Sequence, residues 1–287
     1  TPGSPAISGA TEEWTGAGAP IGAWSTGGSL NSGRRRMCGA GVSNSSALGF
    51  SGDTPPGPTY RALTESYDGT SWTEVNDLNT ARAYGAGDGT QTSALMFGGS
   101  NGSMQAVTES WNGTNWTEVN DLNTARYVLA GSGASNTSAL AFGGASTPPF
   151  SPKALTELYD GSSWTEVNDM NSARYSLAGF GTATSAIAAT GENPSSRVTL
   201  TELWNGTNWT EVNDTNSNRD GAGGAGADGT AGLIFGGFEQ SPVDFRINKA
   251  EEWNGSSWTE VADLTGAKFT AQAGAGTASS AISFGGE

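Results

Sequence analysis

Short apolar runs, stopped by paired glycines or by Asn-Gly and Asp-Gly dipeptides, set the rhythm of this chain. In the stretch 81–122, Ala81 to Gly87 is short and glycine-rich, with a turn signal at Asp88-Gly89. Thr92 to Phe97 predicts an apolar strand ended by Gly98-Gly99, and Ala106 to Trp111 a third strand. Asn112-Gly113 is a strong hairpin signal of the type I′ kind, and Asn115 to Asn120 completes a fourth strand. Nowhere does an apolar period of 3.6 run long enough to predict a helix.

The pattern repeats. A tryptophan-led outer segment, Trp-Thr-Glu-Val-Asn-Asp in its full form, recurs with tryptophans at Trp24, Trp72, Trp116, Trp164, Trp209 and Trp258. The steps between them are 48, 44, 48, 45 and 49 residues. Ten positions after each tryptophan stands a cation: Arg34, Arg82, Arg126, Arg174, Arg219 and Lys268. A period of this length marks supersecondary units that bury their apolar faces only against one another. Four antiparallel strands repeated six times predict an all-β, six-bladed β-propeller forming a single domain over residues 1–287. Glycine-rich first strands, as in Ala83-Tyr84-Gly85-Ala86-Gly87, suit strands crowded around an axis.

The ends of the chain complement each other. It begins with third- and fourth-strand material (Thr11 to Trp14, then Trp24) and ends with first- and second-strand material (Phe269 to Gly274, then Ser280 to Phe284). The strand count balances only if residues 10–30 and 267–287 share one blade. The repeat resembles the kelch family of propellers, through double glycines after an apolar strand (Phe97-Gly98-Gly99, Phe142-Gly143-Gly144) and aromatic–tryptophan pairs such as Tyr67 with Trp72. It departs from that family in the closer spacing of its aromatic pair and in the degraded signals Ser51-Gly52 and Thr190-Gly191. The outer segments are also similar to repeats in proteins of marine phages and bacteria.

Composition narrows the chemistry. A formal charge of -15 argues against a nucleic-acid partner, and no apolar stretch is long enough for membrane insertion by a helix. The run Arg34-Arg35-Arg36 is too short for a nucleic-acid footprint. Abundant Gly, Ser, Thr and Asn with scarce lysine is associated with exported or virion-surface proteins; the numbering opens at Thr1-Pro2, as in a processed or longer chain. The sole cysteine, Cys38, is expected to be an inert buried thiol. With no histidine, a Ser-His-Asp arrangement and most zinc or copper sites are excluded, so we expect neither metal nor cofactor.

Carboxylates survive this filter. Glu65, Glu109, Glu157, Glu202 and Glu251 recur on the third strand, and Glu74, Glu118, Glu166, Glu211 and Glu260 on the fourth. A glycosidase needs one close pair with distinct environments, whereas repetition favours scaffold roles. The loop Asn76-Asp77-Leu78-Asn79 and its copies offer oxygens for calcium, but Asn and Asp equally bond their own turns. Ser66 to Trp72 approximates a sialidase Asp-box with its glycine one residue early, better explained as a hairpin turn.

Function must break the symmetry. Long loops between second and third strands, at Asp53 to Leu63, Ala145 to Leu155, Glu192 to Leu200 and Phe238 to Ala250, contrast with the short Ser100 to Val107. Their tips carry Tyr60 with Arg61, Phe150 with Lys153, and Phe245 with Arg246, the expected partner-binding residues. Up-and-down topology puts the six cations on the same face as a basic ring, unless each pairs with a nearby Asp such as Asp77 or Asp121. The expected function is a non-catalytic binding or structural module on a virion or cell surface, contacting glycans or protein neighbours. The alternative is a secreted carbohydrate-active enzyme that uses carboxylates alone.

Overall fold

The computed structural model describes residues 7–16, 22–146, 151–240, 244–266 and 273–286. It is a ring of six four-stranded antiparallel sheets. The first blade comprises Cys38–Ser43, Ser46–Phe50, Thr64–Tyr67 and Trp72–Val75, ordered from axis to rim. The second to fifth blades begin on the axis with Ala86–Thr90, Ala130–Ser135, Ala178–Thr182 and Gly223–Asp228. In the sixth, Ala273–Thr277 and Ser280–Phe284 pair with Thr11–Thr15 and Ala23–Gly27, so the two ends of the chain close the ring as expected. Among the described residues no helix is long and apolar enough to cross a membrane.

Two details differ from the sequence expectation. The first strand of the specimen repeat runs over Ala86–Thr90 and turns at Gln91 and Thr92, so Asp88-Gly89 lies inside the strand. Interblade crowding at the axis selects a Gly-x-Gly strand there, and this overrides the local turn signal. Asn112-Gly113 does make a hairpin, but only Gly113 has positive φ, so the turn is not type I′. Instead Asn112 Oδ1 accepts hydrogen bonds from the amides of Thr114 and Asn115 across a four-residue loop.

The core lies between blades rather than within them. Phe97, Leu95 and Ala86 of one blade pack on Trp164, Tyr159 and Leu129 of the next, with the Phe97 and Trp164 rings 4.9 Å apart. Ala189 breaks this series by replacing the strand-two phenylalanine. Phe180, from the axial strand of the same blade, substitutes for it beside Trp258. The facing blade yields room through Gly232, where a Cβ would lie 2.3 Å from the Phe180 ring.

Each outer tryptophan also crosses the interblade seam. Trp72, Trp116, Trp164, Trp209 and Trp258 donate Nε1–H to the hydroxyls of Thr11, Thr64, Thr108, Thr156 and Thr201 of the preceding blade, at 2.9–3.1 Å. The sixth seam lacks this bond. Ala250 occupies the threonine position, and the buried Trp24 Nε1 has no hydrogen-bond partner among the described residues. Ala250→Thr is therefore expected to stabilise the closing seam by about 1 kcal/mol, read by chemical denaturation. Thr64→Val should destabilise by a similar or larger amount, because it orphans the Trp116 donor.

The repeated cations are the other seam device. Arg34, Arg82, Arg126, Arg174 and Arg219 have no solvent-exposed surface, and each pairs with the third-strand glutamate of the blade its loop enters. The same carboxylates also accept from Asn31, Asn79, Asn123, Asn171 and Asn216, through both backbone and side-chain N–H groups. In the sixth blade Thr265 donates its N–H and hydroxyl to Glu12. Removing one partner of such a pair leaves a buried charge. Glu109→Ala should cost about 3–5 kcal/mol, against a few tenths for the exposed Glu118→Ala, in paired denaturant titrations.

Candidate binding face

The long loops and the loops between blades do meet on one face. The residue after each buried arginine bridges to the residue after the paired glycines of its own blade: Arg35 to Asp53, Ala83 to Ser100, Tyr127 to Ala145, Tyr175 to Glu192 and Asp220 to Phe238. Three of the long loops carry small two-stranded ribbons, at Asp53–Thr54 with Thr59–Tyr60, Ala145–Ser146 with Ser151–Pro152, and Phe238–Gln240 with Asp244–Arg246.

One residue nearer the axis, Arg36, Tyr84, Val128, Ser176 and Gly221 share a left-handed backbone, with φ between 50° and 65°. A circumferential chain of hydrogen bonds imposes it. The amide of Tyr84 donates to the Arg36 carbonyl, Val128 to Tyr84, Ser176 to Val128 and Gly221 to Ser176. Four non-glycine residues in this region, one of them β-branched, make a strained and rigid collar. The collar surrounds a cavity of about 130 Å³ at the mouth of the axial channel.

Side chains on the collar differ from blade to blade. Arg35 Nε and Arg36 bind the two oxygens of buried Asp53 at 2.9 and 2.8 Å. The Arg36 guanidinium lies 4.5 Å over the Tyr84 ring, which makes a T-shaped pair with Tyr127, ring centres 6.0 Å apart. Opposite, Arg197 pairs with Asp220 at 2.6 Å and lies 4.6 Å over Phe238. Burial, then its bond to Glu192, pushes the Tyr175 hydroxyl well above the ordinary tyrosine range. Burial also raises Tyr84. Both phenols stay neutral around pH 7, able to donate as well as accept.

The predicted site residues have different fates. The basic ring is not a surface feature: its five described members are buried against Glu65, Glu109, Glu157, Glu202 and Glu251, and Lys268 lies outside the described residues. Desolvation lowers the affinity of Arg34, Arg126, Arg174 and Arg219 for their protons, and the facing glutamates oppose that shift. Asp77 and Asp121, the partners envisaged from sequence, instead accept the amides of Thr64 and Thr108. Asn76 and Asn79 of the candidate calcium loop bind the neighbouring blade. Asp68 caps its own hairpin through the amides of Thr70 and Ser71, which hold its carboxyl below the usual range.

At the loop tips, Phe245 is 42% exposed, Arg61 is exposed with a bond to Thr54, and Tyr60, Lys153 and Arg246 are half-buried. Phe150 lies outside the described residues. Sequence reasoning missed Arg36, Tyr84, Tyr127, Tyr175, Arg197 and Phe238. For Arg36, Tyr84, Tyr127 and Tyr175 the available signal was variation at the two positions after each repeated arginine, in a chain that otherwise copies itself; Arg197 and Phe238 lie in the long loops already singled out.

The sequence matches no protein-family model and no curated protein. Solved structures do share the fold. One, described as "Structure of YjhT", aligns with a TM-score of 0.69 over 89% of this chain and 95% of that one, at 11% sequence identity. That likeness shows the six-bladed β-propeller and nothing finer.

Cys38 is buried beside the axis, and burial pushes its thiol up to about 11. The group is therefore protonated at pH 8, and burial also denies access to reagents. Iodoacetamide should modify the folded protein at least tenfold more slowly than the urea-unfolded chain, followed by intact-mass spectrometry.

Proposed function

We propose that this propeller is a non-catalytic binding module that engages its partner at the axial mouth and the ribbons around it. The observation that carries the proposal is the contrast between two sets of positions. Those that hold the blades together repeat almost unchanged, while those that meet at the mouth vary in chemistry around the ring, with tyrosine alone recurring at one position (Tyr127 and Tyr175). Tyr84 and Phe238, each backed by a guanidinium group, stand with Tyr127 and Tyr175 as aromatic rings beside donors, a surface suited to stacking on sugar rings or gripping a protein neighbour.

Resemblance of the repeats to kelch propellers and to repeats of phage proteins, with the lysine-poor acidic composition, supports a place on a virion or cell surface. A fibre, decoration or adhesion role is consistent with that surface. We favour a glycan as the partner, because the mouth offers aromatic faces with neutral phenolic hydroxyls beside them. The enzyme alternative loses its best candidates. The third-strand glutamates are each saturated by an arginine and an asparagine, and the fourth-strand glutamates stand exposed on the outer rim. The two are cross-strand partners in each of these five blades, with the buried member neutralised by its arginine, so no one pair is set apart from its copies as a catalytic pair would be.

A glycan array on the purified protein, followed by titration of the best ligand, tests the proposal. Tyr84→Ala, Tyr127→Ala and Phe245→Ala should each weaken binding by about tenfold or more, the range for an aromatic anchor. Substitutions in the hairpins around Asn112 and Asn205, on the opposite face, should leave it unchanged. Loss of binding in the hairpin variants alone would place the contact on the wrong face for this proposal. Hydrolysis of an arrayed glycan would favour the enzyme instead.

A further inference from the structure

The lower part of the axial channel is walled by the Gly-x-Gly segments of all six innermost strands. The central residues are Ala40, Asp88, Ser132, Phe180, Ala225 and Ala275, so one blade alone contributes a carboxylate. Asp88 is only 8% exposed, lines a cavity of about 70 Å³, and neither oxygen has a hydrogen-bond partner among the described residues. A buried carboxylate in that condition is costly. Protonation removes the charge but leaves a buried O–H that itself needs an acceptor, so neutralisation alone does not satisfy the group.

The surroundings favour a cation. Each innermost strand is hydrogen-bonded along one edge only, so its other edge turns backbone groups toward the axis. The flanking glycines let an occupant approach that backbone closely. Gly133 is one of them: a Cβ there would lie 2.6 Å from Asp88 Oδ1. Among the described residues no cluster of three or more acids, cysteines or histidines exists, and Asp88 is the one charged side chain lining the chamber. A single negative charge balances a monovalent ion, with carbonyl oxygens and water completing an oxygen shell. The formal charge of -15 raises the local concentration of any cation at the channel ends.

We propose that Asp88 and the surrounding glycine backbone form a binding site for one monovalent cation, K⁺ or Na⁺, inside the axial channel. The site is separate from the partner-binding mouth and does not depend on it.

The test compares thermal unfolding at pH 7 in KCl, NaCl and choline chloride at equal ionic strength, so that general screening is constant. The wild-type protein should melt roughly 2–3 °C higher in K⁺ or Na⁺ than in choline, and Asp88→Asn should erase that difference. Crystals of the unsubstituted protein soaked in thallium(I), a K⁺ surrogate, should show an anomalous peak beside Asp88, which keeps the test independent of how the variant folds. Equal melting of the wild type in all three salts, the same salt difference in Asp88→Asn, or no thallium peak in the chamber would each overturn the proposal.

Discussion

The ring depends on a buried ion pair repeated at the seams between blades. Each arginine in the loop leaving one blade is carried into the next, where a buried third-strand glutamate receives it. In isolation such a pair contributes little, because desolvating two charges cancels much of their attraction. Here the carboxylate also accepts an asparagine's backbone and side-chain N–H groups. In four blades the guanidinium also donates to carbonyls, among them those of Gly98, Gly143, Leu155, Thr190, Leu200 and Lys249. The pair therefore specifies geometry: it fixes the angle and register at which one sheet follows another.

The tryptophan bond and the interblade clusters work on the same seams from the outer side. Their chemistry is apolar area plus one directed hydrogen bond, so loss of a single element is tolerated when a neighbour fills the space. The fourth and fifth blades illustrate this. Phenylalanine is absent at Ala189, Phe180 enters from the axis, and Gly232 makes way for it. The closing seam is less completely repaired, since Trp24 is buried without an acceptor opposite Ala250. At the paired glycines, Ser51 and Thr190 adopt the same left-handed backbone as Gly98 and Gly143, with φ of 63° and 59°. The seam dictates the conformation even where the residue resists it.

With the repeated polar groups consumed by the scaffold, chemistry is left to positions that escape repetition. These cluster on the axis. The collar places Arg36, Tyr84 and Tyr127 on rigid, mutually bonded backbone at the mouth, and Asp88 stands deeper in the channel. A site held on inter-blade hydrogen bonds is more sharply positioned than one carried by the long ribbons, where Phe245 and Arg61 lie.

The sequence by itself determined the architecture. Six tryptophans at near-constant spacing, six apolar strand ends and complementary termini leave a closed six-bladed ring as the arrangement that pairs every strand. That inference rests on periodicity and counting, which are local properties of a chain. The partners of the polar residues were not legible in the same way. Arg82 stands close in sequence to Asp77, yet its partner is Glu109, 27 residues away, because folding the loop into the next blade brings that carboxylate to it. Asp88-Gly89 carried the signature of a turn and became part of an axial strand, since only the assembled ring creates the crowding that demands Gly-x-Gly there. The mouth was invisible for the same reason. Its residues lie in separate repeats, and closure of the ring alone brings them around one axis.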